Sequence, residues 1–227
     1  MTILLSWLNT IEPARSLDFM PPDRGAPQRV DAGGARYSDF EVPGDREIPI
    51  VVNGEELECP LTAIVPVENY GLTFQEYPTI YVHVPDVPGA EVTFALRDDD
   101  DRIVYQSRFT LGHRHGTFGI ALPAHANFDP LEVYRPYRWT LELEEYSERV
   151  SGVIVRVLPT ETFARQLDRA TPRERLALYA ETGIWYDAID TLAELHRADP
   201  ENEEFIQIWQ EITKSVDLMK VGEKTLL

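Results

Sequence analysis

The sequence predicts an α+β protein, an antiparallel β-sandwich followed by a C-terminal helical hairpin and a capping helix. Short runs of β-branched and aromatic residues, divided by turn residues, fill the middle of the chain. After about residue 160 the apolar spacing changes from two residues to nearly 3.6, which is typical of amphipathic helices. Proline and glycine interrupt the first 57 residues. We therefore divide the chain into residues 1–57, 58–158 and 159–227.

Residues 1–57 are predicted to form an irregular, Pro/Gly-rich arm. Three groups of breakers lie at 21–25, 31–34 and 43–45. A strand at 48–52 followed by Asn53-Gly54 is the one regular feature expected there. The apolar run at 3–8 is shorter than a typical signal sequence and lacks a preceding basic residue. A signal remnant, a wrongly chosen start codon and a packing segment remain as alternatives for residues 1–16.

The segment 58–158 is predicted to be the sandwich, with an immunoglobulin-like arrangement. Consecutive strands are too close for helical crossovers, which favours antiparallel pairing. Asp98–Asp101 separates two of the strands and is interpreted as a solvated hairpin turn. The candidate strands are 61–66, 79–84, 91–96, 103–109, 116–122, 137–145 and 152–158.

The segment 159–227 is predicted to be helical. Thr171 and Glu174 have the spacing of a capping box, and Pro172 suits the first helical position. Gly183 ends this helix, a second helix covers 186–197, and a third at 205–218 caps the pair.

The hairpin at 172–202 resembles a single tetratricopeptide repeat. The residues that carry the resemblance are Tyr179, Ala180, Gly183, Trp185, Ala188, Leu192, Leu195 and Pro200. A solenoid needs about three such repeats, so we expect this one to dock on the sandwich. Partner-binding candidates are the aromatic residues Trp185, Tyr186 and Trp209, with core packing as the alternative.

From about residue 19 the chain also resembles a cyanobacterial family catalogued as a domain of unknown function. The shared motifs lie at 22–27, 33–36, 61–66, 71–73, 76–79, 137–139 and 170–188. The resemblance implies an exported, extracytoplasmic protein, and it supplies no mechanism. Many members carry a second cysteine in the strand after Tyr137-Arg138-Trp139, but residues 140–144 contain none. Cys59 is therefore not expected to form a disulfide within the chain.

The composition excludes several classes of partner. The formal charge is −18, from 39 acidic and 21 basic residues. A field of this sign repels phosphate backbones and anionic lipid, so nucleic-acid binding is not expected. No apolar stretch approaches the ~18–20 residues that span a bilayer.

Residues that could carry chemistry are few. His113 and His115 form an i,i+2 pair, the weak candidate for a metal site. Asp98–Asp101 lacks the alternating spacing of a Ca²⁺ loop. The sequence predicts no catalytic residues and no cofactor, because the motifs of nucleophilic, phosphate-binding and dinucleotide sites do not occur.

We therefore expect a non-catalytic protein-interaction or envelope-associated accessory protein. The first alternative is a small-ligand or carbohydrate-binding sandwich that exposes Tyr81, Tyr105 or Trp139. The second is a hydrolase built around His113, His115 and nearby acids.

Overall fold

The computed structural model describes residues 51–52, 55–56, 60–66, 70–112, 115–124, 128–216, 218–222 and 226. Within these ranges the chain is a mixed α+β protein with two sheets, a short two-stranded ribbon and five α-helices. The predicted arm before residue 51, Cys59 and His113 lie outside the described residues.

Ten strands form the β-structure of the described residues. The five-stranded sheet has the order β4-β10-β9-β6-β7, the three-stranded sheet has the order β3-β5-β8, and β1 pairs with β2 on either side of the predicted Asn53-Gly54 turn. All seven candidate strands of the middle segment are confirmed in position. The bounds are β1 Val51–Val52, β2 Glu55–Glu56, β3 Thr62–Ala63, β4 Tyr70–Thr73, β5 Thr79–Val84, β6 Glu91–Arg97, β7 Ile103–Thr110, β8 Gly116–Ala121, β9 Pro136–Leu143 and β10 Glu148–Arg156.

The pairing of β4 with β10 corrects the prediction of a wholly antiparallel sandwich. These two strands are parallel, with Val153 opposite Tyr70 and Arg156 opposite Thr73. The argument from short connections applies only to strands that follow one another in the chain. Because β4 and β10 lie at opposite ends of the β-segment, chain length places no limit on their relative direction.

The helices follow β10 without interruption by further strands. Their bounds are α1 Glu161–Arg169, α2 Pro172–Thr182, α3 Trp185–Ala198, α4 Glu203–Ser215 and α5 Met219–Gly222. The capping box at the start of α2 is confirmed, since Thr171 Oγ1 accepts from the Glu174 amide and the Glu174 carboxylate accepts from the Thr171 amide. Helix α1 was not predicted. No helix in the described part is long and apolar enough to cross a membrane.

Helix α3 connects the helical part to both sheets. It packs against β4 of the five-stranded sheet, against β5 of the three-stranded sheet and against α2 and α4. Buried apolar residues of the strands and helices form one continuous core. The two sheets and the α2–α3 hairpin are therefore held around a common interior, and α3 lies at their junction.

Candidate functional site

The start of α3 is fixed by the turn that ends α2. Gly183 adopts a left-handed conformation with φ 72°, which glycine tolerates without steric cost. The Gly183 and Ile184 amides donate to the carbonyls of Ala180 and Tyr179. This turn reverses the chain, so the first residues of α3 face the sheets.

Trp185 and Tyr186 anchor the first turn of α3 to backbone and core of the β-structure. The Trp185 indole Nε1–H donates to the carbonyl of Ile64 at 2.9 Å. The Tyr186 hydroxyl accepts from Trp139 Nε1–H at 2.8 Å and donates to the carbonyl of Val153 at 3.3 Å. Each polar atom of these buried rings is thereby satisfied, as burial requires.

Two glycines of the five-stranded sheet make room for this anchor. A Cβ at Gly71 would lie 2.5 Å from the Tyr186 ring, and a Cβ at Gly152 would lie 2.8 Å from the Trp139 ring. The ring of Tyr186 therefore rests directly on the backbone of β4. This close approach places the next residue of α3, Asp187, at the C-terminal end of that strand.

Asp187 is a buried carboxyl that joins α3 to the end of β4. Its Oδ2 accepts from the Thr73 hydroxyl at 2.6 Å and from the Phe74 amide at 3.2 Å, while Oδ1 lies 3.4 Å from the same amide. The residue is 4% exposed. Burial raises the pKa of Asp187 to about 6, although the hydrogen bonds from Thr73 and Phe74 act to lower it.

Asp190 lies one turn further along α3 and faces β5. Its Oδ1 accepts from the Tyr81 hydroxyl at 2.8 Å, and Arg197 donates to the same hydroxyl oxygen at 3.3 Å. Burial, followed by the charge of Asp190, raises the pKa of Tyr81. Tyr81 therefore remains a neutral hydrogen-bond donor to Asp190 over the physiological pH range.

A cleft of about 310 Å³ opens where α2 and α3 meet β4, β5 and the loop between these strands. The α3 side contributes Asp187, Asp190, Thr191 and Glu194, which are spaced so that they share one helix face. The remaining polar and aromatic lining comes from α2 and from the β-structure: Arg175, Tyr179, Thr73, Gln75 and Thr79. The cleft is thus built by residues far apart in sequence.

The cleft carries more negative than positive charge. Three carboxyl groups, those of Asp187, Asp190 and Glu194, line it with one guanidinium, that of Arg175. Arg175 directs its Nε–H to the carbonyl of Leu167. Among the described residues, no Lys or Arg nitrogen lies within 4 Å of any of these three carboxylates. The lining of the cleft therefore suits a ligand group that is cationic or that donates hydrogen bonds.

The three aromatic candidates for partner binding are enclosed by the chain itself. Trp185 and Tyr186 are buried at the junction described above, and Trp209 is buried on α4. Among the described residues, the Trp209 Nε1 atom has no hydrogen-bond partner. Their positions match the core-packing alternative, and a partner-binding role for these rings stays a prediction that their burial does not favour.

The aromatic face expected for carbohydrate binding does not form. Tyr81 and Trp139 are buried, so the expectation that they are exposed is wrong for both. The Tyr105 ring is half-buried and packs between Phe94 and Phe128, with ring centroids 6.2 and 5.6 Å away. Helix α3 covers both buried rings, because the Tyr81 hydroxyl donates to Asp190 and the Trp139 indole donates to Tyr186.

His115 lies beside one acidic residue at the surface. Its Nδ1 is 3.4 Å from Asp86 Oδ1, and both side chains are exposed. Its predicted partner His113 lies outside the described residues. In the described part of the chain, His115 does not join a group of three potential metal ligands.

The acidic turn between β6 and β7 is held by a cation from a different loop. Asp98 Oδ1 accepts from the amides of Asp100 and Arg102, which shapes the turn. Asp98, Asp99 and Asp100 are close enough together to hold a metal ion. The Arg135 guanidinium already lies 2.6 Å from Asp99 and 3.3 Å from Asp98. The predicted hairpin turn is confirmed, and Arg135 offsets part of its negative charge.

The profile of a protein family described as Domain of Unknown Function (DUF928) matches residues 42–226. The chain belongs to this family. The match extends from the ribbon of β1 and β2 to the C-terminal residues, and so includes both sheets, all the helices and the cleft. No curated protein matches the chain.

Solved structures similar to this DUF928 chain include three β-glucuronidases. Bacteroides uniformis β-glucuronidase 2, covalently bound to cyclophellitol-6-carboxylate aziridine, is 10% identical with a TM-score of 0.28, and the match covers 74% of this chain and 27% of the enzyme. The Parabacteroides merdae enzyme is 10% identical with a TM-score of 0.23 and coverage of 63% and 25%. A Bacteroides uniformis β-glucuronidase is 10% identical with a TM-score of 0.25 and coverage of 75% and 32%.

The DUF928 chain spans about a quarter to a third of the length of these enzymes. TM-scores of this size do not establish a common fold. Their glycosidase activity is therefore not carried over to this protein.

Sequence reasoning missed the acidic residues of the cleft. Asp187, Asp190 and Glu194 recur at helical spacing on α3, and this pattern was available in the sequence. Charged residues on one helix face usually indicate the solvent side. In this structure the acidic face of α3 is directed toward β4 and β5. The packing of Trp185 and Tyr186 on the sheets determines this orientation.

Proposed function

We propose that the protein is a non-catalytic binding module that receives a segment of a protein partner in the cleft between the α2–α3 hairpin and the β4–β5 loop. The observation that carries this proposal is a polar cleft formed jointly by the hairpin and the sheets. Clefts at such junctions, lined by a few convergent polar groups, are common binding sites.

The hairpin is the recognition element of this proposal. Helices α2 and α3 are joined at Gly183 and α4 packs on α3. We propose that the two helices act as one tetratricopeptide-like unit with α4 as its cap. A single unit cannot form the concave surface of a solenoid. In this protein the immunoglobulin-like β-structure supplies the second wall instead.

A bulky substitution in the cleft tests the proposal without changing its charge. Thr191→Trp fills the cleft from α3, and Thr110→Trp places the same ring on β7, away from it. We expect chemical cross-linking in extracts of the native host to link the wild type and Thr110→Trp to the same partner. The cross-link should be lost in Thr191→Trp. Its persistence in Thr191→Trp would place the partner site elsewhere.

We further propose that the protein acts outside the cytoplasm, as an accessory protein of the cell envelope. The family resemblance and the short apolar run at residues 3–8 support this location. Amino-terminal sequencing of the protein from its native host tests it, since an exported form is expected to lack residues 1–16. A native protein that begins at Met1 in the cytoplasmic fraction would contradict the location and leave the cleft proposal untouched.

A further inference from the structure

The cleft carries an excess of negative charge, from three carboxyl groups against one guanidinium. Buried carboxylates in proteins are ordinarily paired with a cation or a metal ion, because desolvating a lone charge is costly. Asp187 is 4% exposed, and in the described part of the chain no basic side chain lies within 4 Å of it. The carboxylate accepts hydrogen bonds from the Thr73 hydroxyl, the Phe74 amide and the Gln75 side chain, so what it lacks among the described residues is a cationic partner.

The spacing of the carboxyl groups favours an organic cation over a metal ion. A divalent ion needs several oxygens at about 2.0–2.6 Å, so its ligands must nearly touch one another. Asp187, Asp190 and Glu194 do not form such a cluster, whereas Asp98, Asp99 and Asp100 do. Guanidinium and alkylammonium groups carry several N–H donors, which can bridge acceptors that lie further apart.

The remaining lining sets the size and polarity of the group that fits. A cleft of about 310 Å³ is at the small end of the range for ligand pockets, and it suits a side chain with a short stretch of backbone. Thr79 on β5 and Gln75 in the β4–β5 loop also line the cleft, and the Gln75 side chain already donates to the Asp187 carboxylate. Arg175 on α2 disfavours a second cation close by and limits the cleft to one basic group.

We infer that the cleft binds one arginine or lysine side chain of the partner, with its cationic group held by Asp187 and Asp190. This inference rests on the proposed function and names the chemistry of the segment that the cleft receives. The bound cation supplies the charge partner that Asp187 lacks among the described residues.

Proton release accompanies binding near pH 6. Burial holds the pKa of Asp187 at about 6, and a bound cation lowers it because it favours the carboxylate. Asp190 and Glu194 on α3 and Arg175 on α2 are the other charged groups that line the cleft. Arg197 on α3 lies beside it, where its guanidinium donates to the Tyr81 hydroxyl. The titratable phenols there are those of Tyr81, Tyr179 and Tyr186. Burial raises the pKa values of Tyr81, Tyr179 and Tyr186, so these phenols stay protonated and Asp187 is the source of the proton.

Isothermal titration calorimetry on the full chain tests this inference. The probe is an acetylated and amidated Gly-Ser-Arg-Ser-Gly peptide, and the matched control peptide has citrulline, a neutral isostere, in place of arginine. We expect the citrulline peptide to bind at least about tenfold more weakly, because it leaves the cleft carboxylates without a charge partner. Titrations of the arginine peptide at pH 6, in buffers of different ionisation enthalpy, should show release of about half a proton per peptide bound. At pH 8 no proton should be released, because Asp187 is already ionised before the peptide binds.

Three variants locate the effect. Asp187→Asn and Asp190→Asn should each weaken the arginine peptide at least about tenfold, and Asp187→Asn should also abolish proton release. Asp129→Asn removes the same charge at an exposed position outside the cleft and should bind as the wild type does. Circular dichroism confirms that each variant is folded before titration.

The outcomes separate this inference from the proposed function. Equal binding of the two peptides, unchanged affinity in both cleft variants or no binding of the arginine peptide up to about 10 mM overturns the inference. So does tighter binding of Ca²⁺ or spermidine in competition with the peptide, because the cleft would then serve free cations. If the native cross-link is lost in Thr191→Trp and one of these results is also found, the cleft still binds a partner segment. Only the inference that the segment presents an arginine or lysine side chain is then rejected.

Discussion

Replacing Tyr186 by Phe tests the anchor that fixes α3 on the five-stranded sheet. The substitution keeps the ring that rests on Gly71 and removes only the hydroxyl. That hydroxyl accepts the 2.8 Å hydrogen bond from Trp139 Nε1–H, and Trp139 is 0% exposed. In the variant the indole N–H has neither a protein acceptor at that position nor access to solvent.

The expected cost follows from this stranded donor. A buried polar group left without its partner costs about 1–3 kcal/mol. The second hydrogen bond of the hydroxyl, to the Val153 carbonyl, is long at 3.3 Å and adds little. We therefore expect Tyr186→Phe to lower the free energy of unfolding by about 1–3 kcal/mol, which lowers Tm by roughly 2–4 °C per kcal/mol for a chain of this size.

Urea unfolding followed by tryptophan fluorescence and far-UV circular dichroism measures the effect. Tyr134→Phe is the matched control, because Tyr134 is 67% exposed and the same atom is removed. The control should stay within about 0.5 kcal/mol of the wild type, as surface substitutions usually do. If Tyr186→Phe also stays within that interval, the hydrogen bond does not hold the helix to the sheet and the proposed geometry of the junction is refuted.

Three further predictions concern stability. As the pH rises from about 3 to about 7, Asp187→Asn should gain about 3 kcal/mol of unfolding free energy over the wild type. Because the pKa of Asp187 is raised from 3.8 to about 6, the stability that its protonated carboxyl contributes is fully present below pH 3.8 and is lost as the pH rises through 6. Parallel pH profiles in urea unfolding would contradict this. Gly71→Ala should lower the free energy of unfolding by about 1–3 kcal/mol, because the added Cβ overlaps the Tyr186 ring. Thermal unfolding should show no such loss for the control Gly112→Ala, because a Cβ at Gly112 meets no atom within 4 Å. Thr171→Ala removes the side-chain cap of α2 and should lower the free energy of unfolding by about 1 kcal/mol in the same thermal unfolding measurement. An unchanged Tm would show that tertiary packing alone defines the start of the helix.

Much of the fold could be predicted because its signals are local. Period-2 alternation identified strands such as Thr79–Val84, whose predicted and observed bounds are the same. Thr171, Pro172 and Gly183 marked the ends of α2, since capping and left-handed turns depend on residues close in sequence. Helix α1 was missed because it has no buried residue and its apolar stripe is correspondingly sparse.

Sequence reasoning predicted less well which strands and helices pack against one another. The parallel pairing of β4 with β10 joins segments that no local pattern connects. The rings of Tyr81 and Trp139, which were expected to be exposed, are buried for a similar reason, because alternation along a strand does not say which face a distant helix covers.

The candidate site shows most clearly the difference between what local sequence patterns predict and what tertiary packing decides. By itself the sequence determined that α3 exists, where it begins and that Asp187, Asp190 and Glu194 share one of its faces, since helical periodicity is a property of the local chain. Only the tertiary structure decided that this acidic face lines a cleft instead of facing solvent. The hydrogen bonds of Trp185, Tyr186 and Asp187 to Ile64, Trp139 and Thr73 set the orientation of the helix, and those partners lie tens of residues away in the chain. Contacts of that sequence separation depend on the packing of the whole core, which local sequence patterns do not encode.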